Sequence, residues 1–405
     1  MTLLIALVGA AHAHDLPENE VSYTLGDGLR FELDNGRQVF RIGGFVQPAW
    51  EVELVDDSVQ QYLVPKRTQF GIDGSLEGGR IPFGVLTDFS LSQPLLEGWM
   101  GVRIVEGLTV SVGQKPNPAN LREMLYNEGY LSFPDRSAAS LAFSDTGREF
   151  GLFVDGEVSF GAFTVRPSVS ATSGDGRNSF GVDSRDVDRG GLKWGGRLDL
   201  LPLGDFEEGN RAMVTDVAHE STPKLLLGGA FSLNDGASGP NGEGHAEFSL
   251  YDETGAFQQP DYTKIHGDLV VKWQGVSVLA EFVSASAAGL QGTFTDPVGG
   301  NPLFASQISE FLVLGTAINA QAGYHLPIGG EGTGGGLGLD LRYTMLQDAF
   351  PENEASQLTD ATVLGAALTA FVERHDLKVQ LAGSQVQPAV GDSYVAAQLL
   401  AHLRF

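Results

Sequence analysis

Apolar and polar side chains alternate with a period of two along this chain, from residue 38 to the last residue. Successive side chains of a β-strand point to opposite faces, so this period predicts strands. The pattern is clearest at the C-terminus, where one face would carry Val395, Ala397, Leu399, Ala401, Leu403 and Phe405 and the other Tyr394, Gln398, His402 and Arg404. Residues 337–345 and 377–381 repeat it.

Breaking the pattern at clusters of Gly, Pro, Asn and Asp predicts an even number of strands, sixteen. Their predicted ranges are 38–55, 61–77, 80–91, 95–105, 108–115, 148–158, 161–172, 191–201, 224–234, 262–273, 276–286, 311–326, 336–347, 361–373, 376–386 and 393–405. Some connections are very short, such as Gly78-Gly79 and Gln274-Gly275, whereas 174–190, 202–222, 235–261, 287–310 and 348–360 are long and acidic.

This arrangement predicts an all-β protein, a transmembrane antiparallel β-barrel with short turns at one end and long loops at the other. A soluble sandwich or β-helix would also alternate, but it needs large inward side chains to fill a core. Here one parity carries Arg, Lys, Asp, Gln, Ser and Gly, and the other carries Leu, Val, Phe and Trp. A barrel with a wet lumen and an apolar outer face fits that distribution. Its place would be the bacterial outer membrane.

Composition narrows the function further. The chain has 51 acidic and 25 basic residues, a formal net charge of −26, which disfavours nucleic acid as a partner. It has no cysteine, which excludes disulfides, thiolate metal sites and a cysteine nucleophile. Glycine makes up 54 of 405 residues, nearly twice the usual share of about 7%, which suits many tight turns.

The N-terminus reads as the end of an export signal. Residues 1–13 combine an apolar run with an Ala-His-Ala site and are interpreted as a signal peptide, although no basic residue precedes Arg30. The alternative is an ordinary buried N-terminal strand. Residues 14–36 would form a short lead, and 37–405 one barrel domain.

Residues 37–204 resemble the phosphate-selective porin family (porins O and P). The matching segments are Phe40-Arg41-Ile42-Gly43-Gly44, Lys66-Arg67, Gly71-Ile72-Asp73-Gly74, Gly113-Gln114-Lys115-Pro116, Pro134-Asp135-Arg136-Ser137, Gly147-Arg148-Glu149-Phe150-Gly151-Leu152 and Gly196-Arg197-Leu198-Asp199. The resemblance implies a sixteen-stranded homotrimeric porin that passes small anions, above all phosphate, past Arg and Lys side chains. Where the family carries an Arg after the Gly-Gly of the first strand, this chain has Phe45. A barrel of this kind would contact outer-membrane lipid and lipopolysaccharide, and the terminal Phe405 would act as a signal for the barrel-assembly machinery.

Parity predicts which charged side chains face the lumen. The basic set is Arg41, Arg67, Arg103, Lys115, Arg166, Lys193, Arg197, Lys272, Arg342, Lys378 and Arg404. The acidic set is Glu51, Glu53, Asp73, Asp88, Asp155, Glu157, Asp199, Asp268, Glu281, Asp340 and Glu373. The two sets are equal in number, so the lumen wall is expected to be near neutral and the excess acids to lie mostly in loops. Lys66 would point outward unless a bulge or the barrel rim intervenes.

The connection 116–147 is the candidate constriction. Asn117 as N-cap and Pro118 at the first helical position predict a short helix that ends at Gly129. If the segment folds inward, Arg122 and Arg136 would join Arg67 and Lys115, with Lys66, Arg41 and Arg103 completing the basic ring. The alternative is an extracellular loop whose charges are solvated.

No motif of a hydrolase, nucleotide-binding protein or zinc enzyme has its correct flanks, so the chain is not expected to be an enzyme or to hold a cofactor. Loop oxygens could hold Ca²⁺ around Asp175, Asp183, Asp186 and Asp188, or around Asp235, Asn241 and Glu243, but neither group has the spacing of a calcium loop. The functional prediction is an anion-selective porin. The alternatives are a general or cation-leaning porin, and a narrow barrel whose acidic loops form a binding surface.

Overall fold

The computed structural model describes residues 19–55, 58–178, 191–207, 209–245, 248–289, 292–298, 300–328 and 334–405. The interpreted signal peptide and the acids Asp183, Asp186 and Asp188 lie outside the described residues. Within them the chain forms nineteen strands: β1 (Glu20–Thr24), β2 (Gly28–Leu33), β3 (Gln38–Val55), β4 (Ser58–Leu76), β5 (Ile81–Asp88), β6 (Leu95–Val105), β7 (Leu108–Pro116), β8 (Arg148–Gly156), β9 (Val158–Phe160), β10 (Phe163–Thr172), β11 (Lys193–Leu201), β12 (Lys224–Asn234), β13 (Asp261–Trp273), β14 (Val276–Ala288), β15 (Gly315–Pro327), β16 (Gly336–Asp348), β17 (Ala361–Glu373), β18 (Leu377–Pro388) and β19 (Tyr394–Arg404).

Helices are few in this part of the chain. They are α1 (Arg122–Leu125), α2 (Ala138–Phe143) and α3 (Ala305–Ile308), with 3₁₀ turns at Glu128–Tyr130 and Asn210–Ala212. Among the described residues, no helix has the length and apolar character needed to cross a membrane.

Sixteen of the strands close into an antiparallel barrel, which confirms the predicted fold class. Each pairs with its neighbour in chain order, and β19 pairs with β3 to close the wall. Strand β9 continues β8 along the same partner, β10. Strands β1 and β2 are additional: β2 pairs with the start of β3, and β1 pairs with β2. The N-terminal lead therefore contains a hairpin that the sequence patterning did not predict.

The two faces of the wall follow the predicted parity. On β11, Trp194 and Leu198 are exposed on the outer surface, whereas Lys193 and Arg197 are buried inside. On β19, Leu399 and Leu403 face outward and His402 faces inward. An apolar outer belt around a closed barrel places the protein in the bacterial outer membrane.

A β-bulge corrects the position of Lys66. The register between β3 and β4 shifts at Gln47/Pro48, so that Pro48 pairs with Pro65 while Gln47 pairs with Arg67. The extra residue is Lys66, and its ammonium group lies inside, 2.9 Å from Asp135. A bulge places two residues opposite one and turns a side chain away from its strict alternation.

One predicted strand began too early. Residues 311–314 continue the apolar pattern of β15, yet β15 starts only at Gly315. Leu312, Val313 and Leu314 are buried in an interior cluster with Leu121 and Phe143. An apolar run can serve an interior core as well as a membrane-facing strand, and periodicity over a few residues does not separate the two.

Connections differ between the two ends of the barrel. The loop end carries the described residues of the connections 89–94, 117–147, 173–192, 235–260, 289–314, 349–360 and 389–393, and by the usual asymmetry of these barrels it is extracellular. The turn end carries short connections such as 106–107 and 274–275, together with the chain terminus at Phe405. The exception is 202–223, which is long but lies at the turn end.

Candidate constriction

The segment 117–147 lies inside the barrel. Most of its residues are buried, including Leu121, Leu131 and Phe143 at 1% exposure or less. The single predicted helix is absent: the Asn117 side chain accepts a hydrogen bond from the Ala119 amide at 3.0 Å and forms a turn instead. The segment then folds into α1, the 3₁₀ turn that contains Gly129, and α2.

Wall cations hold this segment by its backbone. Their side chains donate hydrogen bonds to its carbonyl oxygens: Arg67 Nη1 to Pro134 O at 2.9 Å, Arg342 Nη1 to Asp135 O at 2.9 Å, Lys378 Nζ to Leu131 O at 2.9 Å, Lys264 Nζ to Phe143 O at 2.8 Å and Arg197 Nη1 to Asn120 O at 2.9 Å. These bonds satisfy carbonyl groups that the irregular segment leaves without helix or sheet partners. All of these cations except Lys264 were predicted to line the lumen, and they are engaged in fixing the segment.

The arginines of the segment itself are paired with carboxylates. Arg122 bridges two strands of the wall, Nη2 to Asp199 at 2.5 Å and Nε to Asp268 at 2.9 Å. Burial alone would lower the pKa of Arg122, but Asp268 and Asp199 outweigh it and raise that pKa. Arg136 lies 2.8 Å from Glu128.

Several cations interact with the Glu128 carboxylate. Burial alone would raise its pKa, whereas Arg136, Arg148 and Arg67 hold the pKa of the Glu128 carboxyl well below its usual range. The carboxylate therefore stays ionised and binds the segment to both β4 and the start of β8.

The predicted basic ring is only partly assembled. Lys66 and Arg67 meet at Asp135, with Nζ at 2.9 Å and Nη2 at 3.6 Å from its carboxylate. Lys115 instead pairs with Asp155 at 2.9 Å on the β7–β8 wall, and Arg41 pairs with Asp73 at 3.0 Å. Arg103 lies apart, exposed at the turn-end rim beside a register shift in β6.

Two of the predicted lumen-lining residues serve the turn end. Arg166 pairs with Glu157 at 2.9 Å. Lys272 is fully buried and donates to Asn210 O at 2.6 Å and to Met213 O at 2.8 Å, both in the connection 202–223. This connection is a second inward segment.

The two inward segments touch inside the barrel. The Val214 amide donates to Tyr130 O at 3.2 Å, and Phe206, Val214 and Leu131 share one apolar cluster. The lumen beside β11–β14 is therefore filled from both ends. Sequence patterning did not predict this contact, because it placed 202–222 among the long acidic connections.

Space remains in the lumen opposite β11–β14, beside β3–β6. A cavity of about 400 Å³ follows the inner face of β3–β6 from the turn end, and the charged residues along it are Asp27, Arg41, Asp73, Glu97 and Arg404. Gly84 helps to keep this space: a Cβ there would lie 2.9 Å from the Trp99 indole nitrogen. A second cavity, of about 490 Å³, lies toward the loop end and includes Asp145, Arg177 and Glu243.

Arg148 connects a residue of the turn-end cavity to the inward segment. Its Nε donates to Glu97, which lines the turn-end cavity, at 3.1 Å, and its Nη1 lies 3.5 Å from Glu128. Asp145, three residues earlier, lines the loop-end cavity. The trio was not predicted from the sequence, although the parity that turned Arg103 inward also turns Glu97 inward.

The candidate calcium loops partly converge. Asp175 and Glu243 line the same loop-end cavity, and His245 Nδ1 lies 2.9 Å from Asp175. Within the described ranges no group of three or more His, Cys, Asp or Glu is arranged to hold a metal ion.

Comparison with known proteins gives the fold. No protein-family model matches the chain, and no curated protein matches it in sequence. Among solved structures, it is similar to a loop L8 deletion mutant of OmpT, an outer membrane protein of Vibrio cholerae, with a TM-score of 0.53 and 10% identity over 90% of this chain and 99% of that one. The chain has the fold of a bacterial outer-membrane β-barrel.

Two further solved structures share this barrel. OprB of Pseudomonas putida matches with a TM-score of 0.53 and 11% identity, over 90% of this chain and 94% of that one. The outer membrane channel DcaP of Acinetobacter baumannii matches with a TM-score of 0.51 and 12% identity, over 91% and 97% of the two chains.

Proposed function

We propose that this protein is an outer-membrane diffusion channel for small hydrophilic ions, narrowed by the inward segment 117–147 and only weakly selective by charge. The open route would run from the loop-end cavity past Arg148 to the turn-end cavity beside β3–β6. The observation that carries the proposal is the engagement of wall cations with backbone carbonyls, which leaves the open side lined by acids and bases together.

Phosphate selectivity, which the family resemblance implies, has less support. A phosphate filter needs several cations free to replace the anion's hydration. Arg67, Arg122 and Arg136 are each engaged by a carboxylate, and Lys115 is paired with Asp155. We therefore place this chain nearer to a general or cation-leaning porin.

The reversal potential of the purified protein in a planar bilayer under a KCl gradient tests this proposal. We expect a potential close to zero or cation-leaning, and no block of chloride current by added phosphate. Strong anion preference with phosphate block would overturn weak selectivity and restore the phosphate-selective assignment.

A second candidate is a narrow barrel whose loops form a binding surface. The observation in its favour is that inward segments fill the lumen from both ends. Single-channel conductance separates the two: resolved open steps support the channel, and their absence in folded protein supports the binding surface.

We also propose that the barrel forms a homotrimer through the β4–β5 sector. Strand β5 has eight residues, fewer than the roughly 9–11 that a tilted strand needs to cross the bilayer. Beside it, β4 pairs with β5 only from Gln69 onward, so residues 58–65 have no strand partner on that side within the described part of the chain. Lipid cannot satisfy such an edge, whereas a second copy could cover it. Cross-linking of paired cysteines introduced at Val59 and Val85 would yield trimers, and exclusively monomeric protein in native detergent extracts would contradict this.

A further inference from the structure

Arg404, the last residue of β19, differs from the wall cations that hold the inward segment. It lines the turn-end cavity, and its guanidinium lies over the Tyr130 ring, with Cζ 4.5 Å from the ring centroid. Within the described part of the chain, this guanidinium forms no ion pair and no hydrogen bond. The residue is partly exposed, and of its side-chain nitrogens only Nη1 is buried without a partner. Arg404 therefore presents N–H donors to an anionic group that enters the cavity.

Asp27 brings a charge of opposite sign to the same cavity. It lies in the turn between β1 and β2, it is exposed, and it forms no ion pair with any described residue. The turn sits closely against the connection between β17 and β18, since a Cβ on Gly26 would clash with the Asp376 carboxylate. Burial raises the pKa of Asp376, which Arg404 opposes and Asp27 reinforces, so both charges lie near this one group.

The other charged groups that line the cavity are already paired. Arg41 lies 3.0 Å from Asp73, and Glu97 accepts a hydrogen bond from Arg148 at 3.1 Å. Among the described residues of this cavity, the acid of the hairpin turn and the base of β19 are thus the two left unpaired. A ligand that satisfies both carries one charge of each sign.

The size and the apolar surface of the cavity narrow the ligand further. Its volume of about 400 Å³ is within the range of small-molecule sites, roughly 300–1,000 Å³. Phe45, Leu86 and Trp99 also line it and offer apolar surface to a hydrocarbon side chain. A carboxylate suits the planar guanidinium, and an ammonium group suits the opposing carboxylate. A free α-amino acid with an apolar side chain combines these three features.

We propose that the turn-end cavity binds a small zwitterion of this class, with its carboxylate on Arg404 and its ammonium group on Asp27. This inference rests on the proposed function, because it names a solute for the same route. Binding is measured without current, however, so the site and the channel can fail separately.

Trp99 provides a reporter inside the cavity. The other three tryptophans, Trp50, Trp194 and Trp273, are exposed on the outer surface. Titration of the detergent-solubilised full-length protein with L-leucine is expected to change its tryptophan fluorescence saturably. Trp99→Phe is expected to lose that change.

Variants and analogues test the two charges. Arg404→Gln is expected to weaken leucine binding about tenfold or more, because charged hydrogen bonds to the carboxylate are lost. The matched control Arg103→Gln, at the exposed turn-end rim, is expected to bind as the unaltered protein does. 4-Methylpentanoate, which lacks the ammonium group of leucine, and 3-methylbutylamine, which lacks its carboxylate, are each expected to bind at least about tenfold more weakly.

Several results would overturn the proposal. They are no response to leucine, a response that persists in Trp99→Phe, binding of 4-methylpentanoate as tight as that of leucine, or unchanged binding by folded Arg404→Gln. If Arg404→Gln lacks the heat-modifiable mobility of a folded barrel on gels, Asp27→Asn in the hairpin turn takes its place. It is expected to weaken binding of leucine and not of 4-methylpentanoate, and unchanged leucine binding would contradict the site. Open channel steps without a leucine response would leave the channel standing and remove only this site.

Discussion

Arg148 donates to the Glu97 carboxylate at 3.1 Å across the inside of the barrel wall, while its Nη1 lies 3.5 Å from Glu128 of the inward segment. Arg148 is the first residue of β8, Glu97 belongs to β6, and Glu128 stands in the middle of the segment. This trio therefore connects the wall to the segment beside the turn-end cavity, which Glu97 lines.

Replacing Arg148 is expected to change ion selectivity. Arg148→Gln removes the positive charge and leaves Glu97 and Glu128 facing the route, so cation preference should rise and single-channel conductance should increase. Reversal potentials in a KCl gradient provide the measurement. Arg103→Gln, at the exposed turn-end rim, is the matched control and is expected to leave both values unchanged. Identical reversal potentials for Arg148→Gln and the unaltered protein would place the route elsewhere.

Loss of a hydrogen bond from a wall cation to the backbone of the inward segment is expected to loosen that segment. Lys378→Met removes the shorter hydrogen bond to Leu131 O and leaves only that from Gln380 Nε2 at 3.4 Å. A hydrogen bond to a charged group contributes about 1.5–3 kcal/mol. Current recordings should then show added noise and larger open steps, because the segment samples positions away from the wall. Lys224→Met, at the turn end of β12, serves as the control. A quiet, unaltered current in Lys378→Met would mean that this clamp does not hold the segment.

The ion pairs of Glu128 should persist well below neutral pH. The pKa of Glu128 is lowered in the folded protein, so its contribution to stability is fully present above the unfolded value of about 4.3 and is lost only as pH falls through the lower folded value. The difference in single-channel conductance between the unaltered protein and Glu128→Gln is therefore expected to stay constant from pH 7 to about pH 4.3. Glu128→Gln, which abolishes the titration, is the control. A conductance step near the ordinary glutamate pKa that disappears in this variant would contradict the lowered pKa.

The C-terminal residue is expected to matter through its backbone as well as its ring. The Phe405 amide donates to Gly44 O, and the Gly44 amide donates to Phe405 O, both at 2.9 Å. Deleting Phe405 removes both closing bonds, whereas Phe405→Ala retains them and removes only the aromatic signal. Heat-modifiable barrel in outer-membrane fractions should fall for both variants, and further for the deletion. Equal amounts of folded protein in all three would remove Phe405 from assembly.

Local patterning was sufficient for the barrel wall. The parity of β19 predicted that Leu399 and Leu403 face outward and His402 inward, and all three do so. The predicted alternation fails at bulges, as at Lys66, because one extra residue reverses it and the sequence does not clearly mark where a bulge occurs.

The sequence offered an inward fold of 116–147 as one of two alternatives, but it did not predict the structure within that segment or the inward course of 202–223. Asn117 and Pro118 indicated a helix start, yet the Asn117 side chain closes a turn and the helix begins only at Arg122. Tertiary contacts override local propensity here, because Arg122 must reach two strands of the wall at once.

The sequence by itself determined the number of barrel strands and the face that wall side chains take away from bulges, because these follow from a period of two within single strands. Only the tertiary structure decided which charges are engaged. The Lys378 ammonium and the Leu131 carbonyl are 247 residues apart in the chain and meet only when the barrel closes around the segment. Such pairings depend on the register of many strands together, and no local pattern records them.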